Sequence, residues 1–322
     1  MKTIYKLVSL SLLLVLASGE STAQSYPSRP IRWIVGFAPG GGNDVLARLI
    51  APKLSEQMGQ QVIVENKTGA EGRIAAEFVA KAAPDGYTIM SGATGQMVYN
   101  VGLFANVPYD PVKSFAPITV LGYTQLLFGV NPSVPAATLK EFIALAKTKP
   151  GAMFYASASS PHYVAFELFK KQSGIDLGHV PYKGDAPAML AAISGEVSAV
   201  STGVGAALPQ LQAGKIRPLA VTGASRSQFL SNVPTVKESG IDFEGVSWTG
   251  LFAPAATPQP SLDQLYGAFS IILKDPALKE RIVGVGYETT WNGMAPAEFA
   301  AFHKADLAKW TKVMKDLNIR PQ

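Results

Sequence analysis

Three consecutive glycines, Gly40 to Gly42, lie between an apolar run and a segment with helical spacing, in the stretch IVGFAPGGGNDVLARLI at residues 34–50. A helix that begins after such a turn leaves its first backbone N–H groups without acceptors. The helix dipole adds partial positive charge at the same point, so the turn favours an anion. It therefore predicts a binding site for phosphate, a nucleotide or a carboxylate.

Nucleotide-binding motifs are not completed at this turn. A phosphate loop needs Gly-Lys-Ser/Thr, and a dinucleotide fingerprint needs a third glycine three residues after the second. Here Asn43 and Asp44 follow Gly42, and Val45 stands where that third glycine would be. Neither nucleotide motif is met.

A second group with chemical potential is Ser157, Ser159 and Ser160, which lie close to His162 in sequence. An activated serine needs a histidine base and usually a strained turn such as Gly-x-Ser-x-Gly, and this turn does not occur here. Pro161 instead indicates a helix start, where hydroxyl groups cap the helix or contact a ligand. Capping, ligand contact and catalysis all stay open at this point.

Metal and nucleic-acid binding are poorly supported by the residue pattern. The 3 histidines are far apart in sequence, no His-Glu-x-x-His pattern occurs, and the chain has no cysteine. Basic residues are scattered among acidic ones, so the formal net charge of +5 favours anionic ligands only mildly. We predict no metal site and no nucleic-acid partner.

The first 23 residues have the pattern of a secretory signal peptide. Lys2 and Lys6 precede an apolar run from Leu7 to Ala17, and small and polar residues lead to a predicted cleavage after Ala23. The run is shorter than the roughly 20 residues that a membrane-spanning helix needs. We expect a mature protein in the bacterial periplasm, not itself embedded in the membrane.

Apolar β-rich runs alternate with helical patterns along the rest of the chain, which predicts βαβ units on parallel sheets. The simplest architecture has two α/β lobes, with lobe 1 at residues 24–124 and 246–322 and lobe 2 at residues 125–245. Ligands of open α/β sheets bind beyond the carboxyl ends of the strands, which places a ligand in the cleft between the lobes. The strand candidates are IRWIVGF, QQVIVEN, YTIMSG, APITVLG, LLFGVNP, MFYASA, HVPYK, VSAVSTG, IRPLAVTG and WTGLFAP.

Three helical features accompany these strands. Helices are predicted at Val45 to Met58 and at Ile74 to Ala83, and Thr138 with Glu141 forms a capping box for another. The last segment has aromatic and aliphatic residues at helical intervals, which predicts a long core helix. These residues are Phe299, Phe302, Leu307, Trp310, Val313 and Leu317.

Several segments together resemble the Bug family, the periplasmic solute-binding components of tripartite tricarboxylate transport systems. They are PSRPIRWIVGFAPGGGNDVLARLIA, AKAAPDGYTIMSG, PYDPVKSFAPITV, HVPYKGDAPAML and LAVTGASRSQFLSNVPTVKESG. The resemblance implies a two-lobed periplasmic-binding-protein-like fold that holds the carboxylate of a small organic acid, often through ordered water. It also implies no cofactor, no catalysis and membrane transporter subunits as partners; we expect a monomer.

The resemblance also implies a set of ligand-binding residues. Residues 40–44 look like the family's carboxylate loop, and Tyr182 belongs to its Tyr-Lys-Gly segment, which alternatively is a structural turn. By position the site residues are Phe37, Pro39, Gly40, Gly41, Gly42, Asn43, Asp44, Ala93, Thr94, Ser157, Ser159, Ser160, His162, Tyr182, Thr202 and Gly203.

Departures from the family pattern suggest the ligand. Asn43 stands where the family usually has threonine, and Thr202 replaces an aspartate of members that look suited to amino acids, so we expect a ligand without an ammonium group. Arg73 stands where the family more often has an uncharged residue. We predict that it holds the second carboxylate of a dicarboxylate, the alternative being an exposed pair with Glu71.

Aromatic residues near the presumed cleft leave room for a ring in the ligand, although each taken singly is expected in the core. They are Phe37, Tyr99, Tyr163 and Trp248. The sequence thus predicts a carboxylate-binding protein that feeds a secondary transporter. One alternative is a ligand sensor for a membrane kinase, and another is a periplasmic serine hydrolase that uses the serine junction and His162.

Overall fold

The computed structural model describes residues 26–321, so the predicted signal peptide at residues 1–23 lies outside the described residues. The strands are β1 (Ile31–Val35), β2 (Val62–Asn66), β3 (Thr88–Ala93), β4 (Phe115–Val130), β5 (Phe154–Ser157), β6 (Gly178–Pro181), β7 (Ala199–Gly203), β8 (Arg217–Val221) and β9 (Val246–Pro254). The helices are α1 (Gly42–Met58), α2 (Arg73–Ala80), α3 (Asn100–Leu103), α4 (Leu139–Thr148), α5 (Ser160–Ser173), α6 (Asp185–Ser194), α7 (Val204–Gln212), α8 (Gln259–Ile272), α9 (Pro276–Gly284) and α10 (Pro296–Asp316). Short helical turns lie at Ala70–Gly72 and Gly95–Tyr99.

The strands form two sheets that share β4. One sheet has the order β2-β1-β3-β9-β4, and in the other β4 pairs with β7 and β8, with β5 and β6 beyond β7. Strands β1, β2 and β3 run parallel, and so do β5, β6 and β7. The carboxyl ends of each parallel set therefore lie at one edge of its sheet.

Strand β4 joins the two lobes. It pairs with β9 as far as Gln125 and with β7 from Leu126 onward. The sequence predicts two separate strands here, APITVLG and LLFGVNP, and this prediction is wrong. Gly122 does not end the strand: the register with β9 shifts there, and its missing side chain leaves room for the ring of Tyr287. The exact boundaries of lobe 1 and lobe 2 stay a prediction.

Local rules account well for the helices. Helix α4 begins with the predicted cap, since the Thr138 hydroxyl accepts a hydrogen bond from the Glu141 N–H at 3.2 Å. Helix α2 ends at Ala80, before the predicted Ala83, and Pro84 disfavours helical geometry at Ala83 itself. Helix α1 begins at Gly42, three residues before the predicted Val45.

The cores lie between the sheets and the helices. Leu46, Ile50 and Leu54 of α1 are fully buried, as their spacing predicts. The predicted long helix is confirmed as α10, whose Phe299 and Trp310 are buried. The other four predicted core residues, Phe302, Leu307, Val313 and Leu317, are only half-buried. No helix within residues 26–321 is both long and apolar enough to cross a membrane.

Candidate functional site

The glycine loop lies at the cleft edge of lobe 1, between the end of β1 and the start of α1. Gly41 caps α1 without any side-chain hydrogen bond, so the first-turn N–H groups of Gly42 and Asn43 have no acceptor within the helix. Gly40 adopts φ +79°, a left-handed conformation that glycine accepts without a steric cost. The loop therefore presents backbone donors and the positive end of a helix dipole to a carboxylate.

Asp44 shapes this loop from within. Its carboxylate, 2% exposed, accepts hydrogen bonds from the Gly40 N–H at 2.9 Å, the Arg48 guanidinium at 2.9 Å and the Asn66 amide at 2.8 Å. Burial raises the pKa of Asp44, but these three donors outweigh it, so the pKa lies below its ordinary value. The negative charge is thus compensated locally.

Two other residues of lobe 1 join the loop from distant parts of the chain. The Thr249 hydroxyl donates to the Asn43 side-chain oxygen at 2.7 Å. The hydroxyl of Tyr287 lies 3.2 Å from where a side-chain carbon on Gly42 would stand. Burial raises the pKa of Tyr287 to about 12, so this hydroxyl stays protonated at neutral pH.

The end of β3 is held by internal hydrogen bonds. The buried amide of Gln96 accepts from the Ala93 N–H at 3.0 Å and donates to the Gly72 carbonyl at 2.8 Å. The Thr94 hydroxyl donates to the Trp248 carbonyl at 2.8 Å and accepts from the Trp248 N–H at 2.6 Å. Thr94 thus links the end of β3 to β9, and its hydroxyl acts there both as a donor and as an acceptor.

The cleft edge of lobe 2 carries two serine–histidine pairs. Ser157 Oγ lies 2.8 Å from His179 Nε2, and Ser159 Oγ lies 2.7 Å from His162 Nδ1. Burial lowers the pKa of both imidazoles, that of His179 to about 4, so both rings are neutral at pH 7. The Ser159–His162 pair is the contact that the hydrolase alternative requires, although the other nitrogen of His162 has no partner among residues 26–321.

Asp185 stands beside Thr202 at the same edge. Its Oδ1 accepts from the Thr202 hydroxyl at 2.5 Å and from the Gly203 N–H at 3.1 Å. The expectation of a ligand without ammonium depended on the absence of a carboxylate at this place. The tertiary structure supplies one from a different position in the sequence.

The two edges meet across the cleft. Ser160 donates to the Glu71 carboxylate at 3.4 Å, and Gly205 approaches Gly286 so closely that a side-chain carbon on Gly205 would lie 2.5 Å from the Gly286 Cα. Burial raises the pKa of Glu71, while Ser160 lowers it in part. Gly286 precedes Tyr287, whose hydroxyl lies beside Gly42, so these contacts join the helix starts of lobe 2 to the glycine loop in one cluster.

Some predicted site residues lie outside this cluster. Arg73 donates to the carbonyls of Ala70 and Asn106, both at 3.0 Å, and its guanidinium lies 3.7 Å from the centre of the Phe104 ring. The Tyr182 hydroxyl donates to Glu196 at 2.6 Å. The structure brings neither side chain to the glycine loop.

The aromatic candidates are divided between core and surface. Tyr99 and Trp248 are fully buried and pack against Trp310 and Phe299 respectively. Tyr163 packs against His179, and Phe37 is half-buried while Pro39 is exposed. Within the described residues, no group of three metal-ligating side chains comes together.

Comparison with known proteins identifies the family. Residues 46–319 match the "Tripartite tricarboxylate transporter family receptor". The chain belongs to this family. Protein BugT of Bordetella pertussis is 31% identical over 299 residues, which are 92% of this chain and 91% of BugT. The resemblance to the Bug family that the sequence motifs indicated is confirmed.

Solved structures support the same assignment. MatC from Rhodopseudomonas palustris, solved with bound malate, is 31% identical with a TM-score of 0.80, over 90% of this chain and 100% of MatC. Another R. palustris protein, solved with adipate, is 35% identical with a TM-score of 0.85, over 92% of this chain and 100% of its own. The predicted fold of a periplasmic binding protein is confirmed, and the chain is a solute-binding protein of this type.

Sequence reasoning missed several residues of the cluster, among them Asp185, Gln96, Thr249 and Tyr287. The sequence could have indicated Asp185, which is an acidic residue directly after Gly184. The residues three and four positions later are not basic, so no ion pair along the helix is available to its carboxylate. For Thr249 and Tyr287 the sequence holds no such indication, since they reach Asn43 and Gly42 from more than half the chain away.

Proposed function

We propose that the protein captures a small organic acid, preferably a dicarboxylate, in the periplasm as a monomer and delivers it to the membrane subunits of a tripartite tricarboxylate-type transporter. The observation that carries the proposal is the glycine loop, whose first-turn N–H groups at Gly42 and Asn43 lack intrahelical acceptors beside an internally compensated Asp44. A carboxylate bound there accepts charge-assisted hydrogen bonds, each contributing roughly 1.5 to 3 kcal/mol.

The preference for a dicarboxylate rests on the second edge. Helix α5 begins at the cleft edge of lobe 2 without a side-chain cap, so its start can accept a second carboxylate. Helix α6 begins with Asp185, which also accepts from the Gly203 N–H at the start of α7, so its negative charge disfavours a carboxylate at those two helix starts. An acid with two carboxylates matches helix starts on both sides of the cleft. MatC and the R. palustris relative were solved with malate and adipate, each of which has two carboxylates.

Binding without turnover is part of the proposal. In a catalytic triad one ring nitrogen of the histidine meets the serine and the other a carboxylate. Here His162 Nδ1 meets Ser159 and Nε2 has no partner within residues 26–321. Turnover of an activated ester that disappears in Ser159→Ala would favour the hydrolase instead.

A thermal-shift panel of mono-, di- and tricarboxylates and amino acids tests the proposal. An acid at about 100 times its dissociation constant should stabilise the fold by roughly 2.7 kcal/mol. Arg73→Ala tests whether Arg73 holds the second carboxylate. If it does, the variant loses affinity for dicarboxylates and not for monocarboxylates. The hydrogen bonds of Arg73 to the carbonyls of Ala70 and Asn106 predict instead that the variant shows no such selective loss. Absence of stabilisation by every acid would contradict the proposed function.

A further inference from the structure

Asp185 is a carboxylate with unused hydrogen-bonding capacity. Both of its hydrogen bonds, from Thr202 and Gly203, reach Oδ1, and no donor within residues 26–321 reaches Oδ2. No basic side chain of the described residues forms an ion pair with it. An ionised carboxylate has about four acceptor positions, so at least one face of Asp185 is available to a donor.

His162 provides a second, independent observation. Its side chain is only 6% exposed, and its Nε2 atom is buried without a partner among the described residues. Buried polar atoms almost always have a partner, so an unpaired one calls for an explanation. The neutral ring has two tautomers, and in either one Nε2 has a single unused donor or acceptor function.

Backbone contacts place Asp185 near both cleft edges. The Gly184 N–H donates to the Ala158 carbonyl at 3.0 Å, which brings the start of α6 to the turn that carries Ser159 and His162. Gly205, two residues after the Gly203 that donates to Asp185, packs against Gly286 of lobe 1. Burial lowers the pKa of His162, and the charge of Asp185 raises it in part. The same charge adds to the effect of burial in raising the pKa of Tyr287, whose hydroxyl stands beside Gly42. The backbone contacts and these charge effects agree in placing Asp185 beside the turn that carries His162 and near the Gly286–Tyr287 segment that adjoins the glycine loop.

We propose that Asp185, with His162 Nε2 beside it, binds a hydrogen-bond-donating substituent, a hydroxyl or an ammonium group, of the acid whose carboxylate occupies the glycine loop. This inference rests on the proposed function. A second carboxylate next to Asp185 would be repelled by like charge. A hydroxyl donates to Asp185 and accepts from His162 Nε2 in the tautomer that carries the proton there. An ammonium group donates to both Asp185 and Nε2 in the other tautomer.

Matched ligands on three carbon skeletons test this inference: propionate, lactate and alanine; succinate, malate and aspartate; glutarate, 2-hydroxyglutarate and glutamate. On the skeleton that binds best, calorimetry should show the hydroxy or the amino acid binding at least about tenfold more tightly than the unsubstituted acid. Preference for the hydroxy acid identifies a hydroxyl, and preference for the amino acid identifies an ammonium group. Equal binding of all three acids would overturn the inference.

Asp185→Asn locates the effect. The amide oxygen can still accept from Thr202 and Gly203, while an NH₂ donor replaces the free carboxylate oxygen. The variant should lose the preference for the substituted acid and keep its affinity for the unsubstituted one. Asp242→Asn is the matched control, because this lobe 2 side chain is 93% exposed, so its removal should leave all affinities unchanged.

The outcomes separate the two proposals. If the substituted and unsubstituted acids bind the wild-type protein equally, or if Asp185→Asn changes all affinities by the same factor, the role of Asp185 is refuted and the proposed function stands. If no acid of either panel binds the wild-type protein, the proposed function fails and this inference fails with it. Equal binding of substituted and unsubstituted acids by the wild-type protein refutes the inference even if Asp185→Asn does not fold.

Discussion

The cleft edges of the two lobes use polar side chains in opposite ways. In lobe 1, Asp44, Asn66 and Gln96 turn inward and hold backbone groups of the loop and of the strand ends. In lobe 2, Asp185 Oδ2, His162 Nε2 and the buried hydroxyl of Ser201 have no partner among the described residues. The three side chains around the glycine loop and the end of β3 hold backbone geometry, whereas these three groups of lobe 2 remain unused.

This difference fits a division of tasks under the proposed function. A carboxylate is common to all organic acids, and a backbone site held rigid from behind suits a feature that does not vary. Substituents differ from acid to acid, and side chains with spare donors or acceptors can distinguish them. Four predictions test this contrast, and they follow in order of decreasing effect.

The largest effect is expected from Asp44→Ala. The substitution removes the acceptor of Gly40, Arg48 and Asn66, so the loop loses its internal support. We expect the free energy of unfolding to fall by about 2 to 4 kcal/mol and the affinity for every acid to fall together. Urea denaturation and calorimetry measure both, with Asp242→Ala as the exposed control. Unchanged stability would mean that Asp44 does not hold the loop.

The second prediction concerns the dependence of stability on pH. The pKa of His179 is lowered by burial to about 4, below its ordinary value of 6.5, so between these values the unfolded chain binds a proton that the folded chain does not. Stability is therefore lost as pH falls from about 6.5 to about 4, by up to about 1.4 kcal/mol per pH unit from this residue. His179→Gln should reduce the slope of unfolding free energy against pH in this window. A slope identical to that of the wild type would contradict the buried neutral imidazole.

Ser157→Ala is expected to have a moderate effect. Ser157 Oγ is the partner of His179 Nε2 at 2.8 Å, and both groups lie at the edge of lobe 2. Loss of this hydrogen bond should lower the free energy of unfolding by about 1 kcal/mol. Chemical denaturation at neutral pH provides the measurement, and a gain in stability would show that the bond is not formed in solution.

The smallest effect is expected from Ser201→Ala, the matched partner of the preceding change. Ser201 stands opposite Ser157 on the neighbouring parallel strand, but its hydroxyl has no partner among the described residues. Removing an unsatisfied buried hydroxyl should change the free energy of unfolding by less than about 0.5 kcal/mol without ligand. If the affinity for organic acids falls while the free energy of unfolding is unchanged, the Ser201 hydroxyl is one of the unused lobe 2 groups that serve the ligand. If Ser201→Ala lowers the free energy of unfolding as much as Ser157→Ala does, the Ser201 hydroxyl is not unused, and this example of the difference between the two lobes fails.

Much of the fold follows from local sequence rules. The cap at Thr138, the core face of α1 and the aromatic side of α10 depend on residues within a few positions of one another, and all three are found as predicted. The continuous β4 does not follow, because its middle is extended by pairing with β9, more than 100 residues later. Periodicity within a short window contains no information about such a partner.

The sequence by itself determined the family, the two α/β lobes and the glycine loop, because each depends on residue types in an uninterrupted order. It also contained the Asp44–Arg48 pair, since four positions on a helix bring the two charges together. Only the tertiary structure decided which polar groups remain unused. Asp185 meets Thr202, Asn43 meets Thr249, and Arg73 meets Asn106 through the packing of separate elements. A side chain's free hydrogen-bonding capacity is what remains after its distant neighbours have been satisfied, and those neighbours are brought together only by folding.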